Sequence, residues 1–510
     1  MTDAAACWNR LEELPMKTLK ALFAADANRV DRFTDSLALP GGNVLFDWSK
    51  THLSSDLITA FEALAQAAGF AGAREVMLTG GIANPTEGRA AEHTAQRGMG
   101  ADESVALADA FHMRMRGLVE AIHEGLLGPV KHLIHIGIGG SALGPALAVD
   151  ALARPTAEFR APVDVHVVSN IDGNALEAAF EVCDPATTMI AVASKTFTTI
   201  ETMTNAASAI QWLEEAGVSD AYGRVVALTA SPDKAVEWGV DETRVLPFSE
   251  SVGGRYSLWS SIGFPVAMAL GWDGFAQFLE GAAAVDRHFA DTEGFANLPL
   301  RAAFADLMYV QLRGCQTRAG FAYDERLALF PDYLQQLEME SNGKSVTADG
   351  KPLGRNSAPI TWGGVGTDAQ HAVFQLLHQG TIEVPVDFIA VKQPGHDLDP
   401  AHHAILLTNC FAQGAALMAG AESVDGARAY PGNRPSATIL CDALTPATLG
   451  ALIAFHEHRT FANAVLLGIN PFDQFGVELG KKIANEIAAG EGEGFDPSTE
   501  ALLAAAGLKR

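Results

Sequence analysis

Four short apolar runs in the first half of the chain constrain its fold more than any other feature. Each is rich in β-branched residues, ends in turn or capping residues, and precedes a stretch with helical periodicity. The runs are KHLIHIGIGG (from Lys131), DVHVVSNIDG, TTMIAVASKTF and RVVALTA. Strands that alternate with helices form βαβ units, whose parallel sheet is covered on both faces. The sequence therefore predicts an α/β domain.

A second series of the same kind follows an alanine-rich helical region from Ala282 to Arg313. The runs PITWGG, VDFIAV and FANAVLLGIN predict strands, and QHAVFQLLH and AILLTNCFAQGAALMA predict the helices between them. At 510 residues the chain is also longer than one hydrophobic core usually supports. We therefore expect two successive α/β/α domains with parallel sheets.

The expected segments follow from these two series. Near the C-terminus, Asp496 is predicted to cap a terminal helix with Pro497 in its first turn. The four segments are a mainly helical N-terminal segment over 1–115, α/β domains over 116–285 and 286–487, and a C-terminal helical arm over 488–510.

The net charge and the amino-acid composition argue against several classes of binding partner. The formal net charge of -26 argues against nucleic acid or an anionic membrane surface, because both require a cationic face. The five cysteines are scattered without a C-x-x-C pair, so buried free thiols are expected rather than disulfides or a thiolate zinc site. No secretory leader and no bilayer-length apolar stretch is visible, which predicts a cytoplasmic protein.

The first candidate ligand site is the glycine turn GIGGSALGP after the Lys131 run. Ala142 breaks the spacing of a dinucleotide fingerprint, and Pro145 replaces the lysine that a P-loop requires. What remains is a turn that presents backbone amides and Ser141 at a helix start, which suits an anion or a sugar oxygen. A tight strand-to-helix turn without a ligand is an equal alternative.

The segment SKTFTTIET concentrates hydroxyl groups and one ammonium group at the start of a helix. Thr198 and Glu201 have the spacing of a capping box, which accounts for one hydroxyl. The others exceed what a helix cap needs and favour a cradle for a phosphate monoester. These groups belong to Ser194, Lys195, Thr196 and Thr199.

Two polar segments of the second half have both structural and catalytic interpretations. Arg255, in VGGRYSLWSSIGFP, suits the stabilisation of developing negative charge or, equally, a structural contact with carbonyl groups. In LQQLEMESNGKSV, a helix would place Gln336 and Glu340 on one face. Glu340 is a candidate general base, whereas Glu338 and Glu340 together are also typical of a solvated helix face.

The segment GTDAQHAVFQLLHQG predicts one helix, with a capping box at Thr367 and Gln370 and a stop at Gly380. His371 and His378 would share a face, but they lie two turns apart and no H-E-x-x-H pattern occurs. His456-Glu457-His458 also lacks metal-ligand spacing. No metal site is predicted. The adjacent lysines of GVELGKK reveal no role by themselves.

Taken together and in this order, the long motifs resemble those of the glucose-6-phosphate isomerase family. They run from FDWSK to GVELGKK, over nearly the whole chain, and include IGIGGSALGP, SKTFTTIET, VGGRYSLWSSIG, MESNGKSV and YPGNRPS. The resemblance implies two sugar-isomerase-type domains and reversible aldose–ketose isomerisation of glucose 6-phosphate and fructose 6-phosphate without a cofactor. It also implies a homodimer in which His371 reaches the partner subunit's site.

The resemblance further assigns roles to residues. Glu340 would move the proton between C1 and C2, and Arg255 would stabilise the cis-enediol(ate) intermediate. His371 and Lys481 would open the sugar ring and handle its hydroxyl protons. The expected phosphate ligands are Ser194, Lys195, Thr196 and Thr199, and Gly140, Ser141, Gln336 and Gln474 would complete the pocket.

The sequence departs from the family pattern at a few positions, none of which removes a group with an implied catalytic role. The family often has an acidic residue at Ala142, Gln at Ile200, Asn at Ala437 and Trp at Phe475. Two alternatives to the isomerase remain. One is a non-catalytic sugar-phosphate sensor, and the other is an isomerase of another hexose phosphate such as mannose 6-phosphate.

Overall fold

The computed structural model describes residues 3–156, 159–489 and 494–508. Internal contacts divide the chain into a large unit, residues 1–471, and a small unit, residues 472–510. The strands described are β1 Thr34–Leu39, β2 Gly42–Asp47, β3 His132–Gly137, β4 Asp164–Val168, β5 Thr188–Ala193, β6 Val225–Thr229, β7 Val245–Pro247, β8 Thr317–Tyr323, β9 Ile360–Val365, β10 Val386–Val391 and β11 Ser436–Cys441.

The α-helices of the large unit account for most of its remaining length. They are α1 Ala4–Glu13, α2 Leu19–Ala25, α3 Arg29–Phe33, α4 Ser55–Ala67, α5 Phe70–Leu78, α6 Asp102–His123, α7 Leu143–Leu152, α8 Gly173–Val182, α9 Ile200–Glu215, α10 Pro232–Trp238, α11 Phe264–Leu270, α12 Trp272–Asp291, α13 Leu298–Leu307, α14 Phe330–Gln335, α15 Asp368–Ala372, α16 Phe374–Gln379, α17 Pro400–Ala419 and α18 Pro446–Leu467.

The first sheet has the order β4-β3-β5-β6-β7, and all its pairs are parallel. Central strand β5 is buried at every position, as expected for a parallel strand covered on both faces. Ile134 of β3 pairs with Ile190 of β5, and both join an apolar cluster with helices α8 and α9. All four apolar runs of the first half are strands of this sheet, as predicted.

The second sheet has the order β1-β2-β11-β10-β8-β9. Its pairs from β11 to β9 are parallel. Strands β1 and β2 form a hairpin across Pro40 and Gly41, and β2 pairs antiparallel with β11. The hairpin comes from the N-terminal segment that we expected to be mainly helical. A distant part of the chain thus extends the second sheet, which no local pattern indicates.

The α/β fold class is confirmed: the first sheet is parallel throughout, and the second is parallel from β11 to β9. The boundaries at 115, 285 and 487 stay predictions, and the structure adds the link between the N-terminal hairpin and the second sheet.

One predicted strand is wrong. The run FANAVLLGIN belongs mostly to α18, which ends at Leu467. This helix is buried along nearly its whole length, so its last turns are apolar on all sides and show no 3.6-residue period. A fully buried helix and a buried strand look alike in a short apolar window.

Helices α12 and α18 cross unusually closely, and two glycines permit it. A Cβ at Gly281 would lie 1.8 Å from the carbonyl oxygen of Ala447, and one at Gly450 would lie 2.1 Å from that of Phe278. Since any larger residue would force the backbones apart, these glycines set the distance between the two helices.

Close packing around α18 also buries charged side chains, which must be paired. Arg97 donates to Asp286 of α12 at 2.7 and 2.8 Å and to Glu457 at 2.7 Å. The indole of Trp259 donates to the other Glu457 oxygen at 2.7 Å, and His458 contacts Asp286 at 2.7 Å. The four charged side chains are completely buried.

A second buried network joins α18 to the second sheet. Arg459 donates to Asp306 of α13 and, at 2.8 Å, to Asp387 of β10. Arg318 of β8 binds Asp306 and Glu338. Burial alone would raise the pKa of Glu338, but Arg318 and His456 hold it well below its usual range. Glu338 is therefore a buried structural anion, and its assignment to a solvated face is wrong.

The small unit contains α19 Glu478–Ala489 and α20 Pro497–Ala505. Asp496 accepts from the amides of Ser498 and Thr499, which confirms it as the cap of the terminal helix. Residues 490–493 of the expected arm lie outside the described residues.

Two expectations on composition can also be compared with the structure. All five cysteines are buried free thiols, as predicted. Within the described ranges, no helix has both the length and the apolar character needed to cross a membrane.

Candidate active site

The glycine turn and the hydroxyl segment lie side by side at the carboxyl edge of the first sheet. Gly137, the last residue of β3, pairs with Ala193, the last residue of β5. The chain after β3 makes a 3₁₀ turn over Gly139–Ser141, in which Gly139 has φ +58°. Parallel sheets commonly bind ligands at this edge, where loops and helix N-termini converge.

Gly140 brings the turn into direct contact with the segment that carries Arg255. A Cβ at position 140 would lie 2.1 Å from the carbonyl carbon of Gly254 and 2.4 Å from the amide nitrogen of Arg255. Ser257 donates to the Gly254 carbonyl at 2.7 Å and lies 3.5 Å from that of Gly140. Only glycine allows this approach, so its role at this position is first of all a packing role.

Arg255 is buried, and its guanidinium group is held on two sides. Nε donates to the hydroxyl of Ser341 at 2.6 Å, and Nη2 donates to the carbonyl of Pro471 at 2.5 Å. The Tyr256 hydroxyl lies 2.9 Å from the same Ser341 oxygen. These two contacts fix the orientation of the whole guanidinium group, including Nη1.

Glu340 lies near Nη1 of Arg255. Its Oε2 is 3.7 Å from Arg255 Nη1, an ion pair too long for a hydrogen bond. The oxygen is buried and has no hydrogen-bond partner among the described residues, while the side chain as a whole is 20% exposed. A carboxylate oxygen in this state is available to accept a proton from a ligand.

The helix that carries Glu340 is not regular. After α14 the chain forms a π-helical turn over Gln336–Glu340 in place of a regular α-helix, and residues four apart still lie near one face of this wider turn. The wider turn directs Gln336 to the glycine turn, where its Nε2 would lie 3.1 Å from a Cβ at Gly139. Such turns frequently occur at functional sites, because they alter which side chains face a pocket.

In the hydroxyl segment, the predicted capping box is wrong. Helix α9 has Thr199 as its N-cap, without a side-chain capping bond. The Thr199 hydroxyl instead lies 3.1 Å from that of Ser194, and those of Thr196 and Thr198 lie 2.8 Å apart. The hydroxyl groups therefore bond to one another, and none of them caps the helix. Ile200, the departure from the family pattern in this loop, is 61% exposed.

Lys195 connects the hydroxyl segment to the loop that leads to Arg255. Its ammonium group donates to the carbonyls of Glu250 at 2.6 Å and Val252 at 3.2 Å. An ammonium group has three protons, so one donor remains for a ligand. Burial, and secondarily the nearby charge of Arg89, lowers the pKa of Lys195 to about 8.

His371 is exposed on α15. The predicted single helix is two short ones, α15 and α16, which meet at Val373 with ψ -12° and φ -126°. The expected continuous face from His371 to His378 is therefore broken, and His378 contacts Gln413 at 2.8 Å. The predicted stop at Gly380 is confirmed, but Thr367 makes no capping bond.

Gln474 and Lys481 belong to the small unit. Lys481 is exposed on α19, and Gln474 precedes a short 3₁₀ turn over Phe475–Val477. Their contribution to the site stays a prediction.

The sequence analysis missed Ser341 and Tyr256, which orient Arg255. Ser341 lies inside the quoted motif MESNGKSV, directly after Glu340, and Tyr256 follows Arg255. Their position beside candidate catalytic residues was the available signal. Their function depends on contacts between segments more than 80 residues apart, which a local pattern does not contain.

The fold and the site define a class of protein. It is a two-sheet α/β protein in which a glycine turn, a hydroxyl loop and a buried Arg–Glu pair meet at one sheet edge. Comparison of this sequence with known protein families supports this class. The family described as phosphoglucose isomerase matches residues 47–503.

Individual relatives are similar over the full length. A glucose-6-phosphate isomerase from Novosphingobium aromaticivorans is 73% identical, over 100% of this chain and 99% of the relative. One from Erythrobacter litoralis is 68% identical over 100% of both chains. The crystal structure of a glucose-6-phosphate isomerase from Chlamydia trachomatis is similar with TM-score 0.87 and 30% identity, over 99% of this chain and 98% of the other. The chain belongs to the phosphoglucose isomerase family.

The contact at Gly140 generates a stability prediction. In Gly140→Ala the new methyl group meets the Gly254–Arg255 peptide, so we expect a loss of about 1–3 kcal/mol in the free energy of unfolding. The matched control is Gly254→Ala, because a Cβ there has no neighbour within 4 Å. Urea denaturation of both variants measures the difference. Equal midpoints for the two would contradict the packing role of Gly140.

Proposed function

We propose that this chain interconverts glucose 6-phosphate and fructose 6-phosphate through a cis-enediol(ate) intermediate. The observation that carries the proposal is the pairing of Glu340 with Arg255, a carboxylate oxygen without a hydrogen bond beside a rigidly held guanidinium group. The relatives named glucose-6-phosphate isomerase, 73% and 68% identical to this chain, support the choice of substrate.

The chemistry requires a base at carbon and a fixed positive charge at oxygen. Proton transfer between C1 and C2 needs a base within hydrogen-bond distance of the substrate carbon, a role that we assign to Glu340. As the proton leaves, negative charge develops on the substrate oxygens. Arg255 would stabilise it, and because Ser341 and the Pro471 carbonyl already hold its guanidinium group, little reorganisation is needed.

We assign the phosphate group to the hydroxyl segment. Ser194, Thr196 and Thr199 offer hydroxyl donors near the start of α9, and helix N-termini favour anions. Lys195 would add a positive charge. This local positive charge would offset the repulsion that a protein with a net charge of -26 exerts on an anionic substrate. Gly140, Ser141, Gln336 and Gln474 would line the sugar, with Lys481 assisting ring opening.

We further propose a cytoplasmic homodimer in which His371 acts in the site of the partner subunit. The support within this chain is that His371 is exposed on α15. A residue with a catalytic role that lies on the surface can be brought to a site by symmetry. The sensor and the mannose 6-phosphate alternatives are not favoured, because the similar relatives are named for the glucose 6-phosphate reaction.

The first prediction tests the base. Replacement Glu340→Gln removes the proton acceptor but keeps the side-chain shape, so kcat should fall by about 10²–10⁴-fold while phosphate binding remains. The assay follows glucose 6-phosphate formation from fructose 6-phosphate without added metal or nucleotide, with and without a chelator. The control is Glu280→Gln, an exposed glutamate of α12.

The outcomes of this assay separate the hypotheses. Near-full activity in Glu340→Gln would contradict the base assignment. A wild-type protein that binds the sugar phosphate without converting it would contradict the isomerase and favour the sensor.

The second prediction concerns the charge of Lys195. Because its pKa is lowered to about 8, the ammonium group is charged below that pH and neutral above it. Affinity for sulfate, a dianion throughout this range, should be constant below about pH 7.5 and weaken by up to about tenfold per pH unit above pH 8. Calorimetric titration between pH 6.5 and 9.5 measures the effect.

Two lysine variants control this measurement. Lys195→Arg keeps its charge and should show constant affinity, whereas Lys234→Met, at an exposed neighbour that contacts the Thr196 carbonyl, should keep the wild-type profile. A wild-type affinity independent of pH would refute the phosphate role of Lys195.

The third prediction tests the exchange of His371 between subunits. Homodimers of Glu340→Gln and of His371→Ala should both be nearly inactive. In mixed dimers, one site combines Glu340 of one chain with His371 of the other. Random mixing of equal amounts should therefore restore about a quarter of the wild-type activity, because about half of the dimers have one intact site. If His371 acts within its own chain, the mixture stays as inactive as its components.

A further inference from the structure

Three side chains that can bind a metal ion meet at the end of the first sheet opposite the candidate active site. They are His132, at the start of β3, His166, within β4, and Cys183, directly after α8. One potential ligand atom of each lies within 4.8 Å of those of the other two. The two imidazole rings lie with their centroids 5.7 Å apart.

The strand register explains why the two histidines meet. His132 pairs with Asp164, and Ile134 pairs with His166. His132 and His166 are therefore diagonal neighbours on one face of the sheet, and diagonal pairs are within reach of long side chains. Helix α8 packs on the same face, and Cys183, directly after it, belongs to the same apolar cluster as Ile134 and Ile190. The βαβ fold thus brings the three residues together, and they form no short motif in the sequence.

Two ring nitrogen atoms of this cluster have no hydrogen-bond partner among the described residues. Nδ1 of His132 and Nε2 of His166 are buried and make no hydrogen bond to any described residue. Buried polar atoms normally have a partner, so two neighbouring atoms of this kind require an explanation. A neutral imidazole nitrogen is a common metal ligand.

The local charge also suits a divalent cation. Asp164 lies close enough to influence both His166 and Cys183 electrostatically. A bound cation displaces the proton of the Cys183 thiol, because the thiolate is the form that binds metal ions. The resulting thiolate and the Asp164 carboxylate together balance a charge of two. The site is neutral overall once the ion is bound.

We propose that His132, His166 and Cys183 form a binding site for Zn²⁺ or a cation of similar chemistry. Two imidazoles and one thiolate are a ligand set that zinc prefers, with a fourth position for water. Tetrahedral zinc holds its ligand atoms about 3.3–3.7 Å apart, so binding requires the side chains to close by about 1 Å. The two histidines are only partly buried and can make this adjustment.

The site is separate from the isomerase chemistry. His132 begins β3 and the glycine turn follows its last residue, Gly137, so roughly 17 Å of strand separates them. The cation would therefore stabilise the β3–β4–α8 region, and the proposal holds whether or not the proposed isomerase function is correct. Metal removal should leave the isomerase rate unchanged.

Titration of metal-free, tag-free full-length protein with Co²⁺ tests the site. Cobalt replaces zinc and reports thiolate coordination by its charge-transfer absorption. We expect one saturable site per chain, displaced by Zn²⁺. In His166→Gln the Kd should rise by more than about tenfold, and in Cys183→Ser the charge-transfer band should be lost. Saturating Zn²⁺ should raise the unfolding temperature of the wild type but not of His166→Gln.

The matched control is Cys410→Ser, because Cys410 is also buried but lies on α17 beside the second sheet. This variant should keep both the cobalt band and the affinity. The partly buried His166 provides a variant that keeps the core intact if Cys183→Ser does not fold. Absence of saturable Co²⁺ binding in the wild type, or equal spectra and affinity in the wild type and His166→Gln, would overturn the proposal.

Discussion

The burial of charge around α18 is the constraint on which the large unit depends. His456, Glu457, His458 and Arg459 lie in a helix that is almost completely enclosed, so each charge must find a partner on a surrounding element. Arg97 binds Glu457, Asp286 of α12 contacts His458, and Asp306 of α13 and Asp387 of β10 bind Arg459. Through Arg318 the same network binds Glu338, which also accepts from Thr361 at 2.7 Å. Because Glu338 is two residues before Glu340, the buried network fixes the π-helical turn that carries the candidate base.

The candidate site is built from backbone contacts as much as from side chains. Gly140 lets the turn after β3 touch the peptide of Arg255, and Lys195 binds the carbonyls of the loop that precedes this arginine. Two strand ends and the Glu340 turn are thereby held in one arrangement before any substrate binds. Such preorganisation is what an enzyme needs to stabilise developing charge without moving its own groups. It also explains why glycine, serine and tyrosine matter here although they perform no proton transfer.

Local patterns predicted those features whose cause is local. The strands β3 to β6 and the cap at Asp496 were found because β-branched runs and capping residues act over a few neighbours. Prediction failed where a distant contact decided the outcome. FANAVLLGIN was assigned to a strand because burial on all sides removes helical periodicity. The Thr198 cap failed for a local reason, because the Thr198 hydroxyl pairs with that of Thr196. Glu338 was assigned to solvent because its partner, Arg318, lies on β8, 20 residues earlier in the chain.

The sequence by itself determined the α/β class, the glycine and hydroxyl segments at strand ends, and the set of candidate catalytic residues, through motifs that occur together in the family. Only the tertiary structure decided how these residues are used. It placed Glu340 3.7 Å from Arg255, gave Ser341 its role, joined the N-terminal hairpin to the second sheet and brought His132, His166 and Cys183 together. The physical reason is that strand order, register and the pairing of buried charges bring together residues that are far apart in the chain. A local sequence pattern does not contain the distances between such residues.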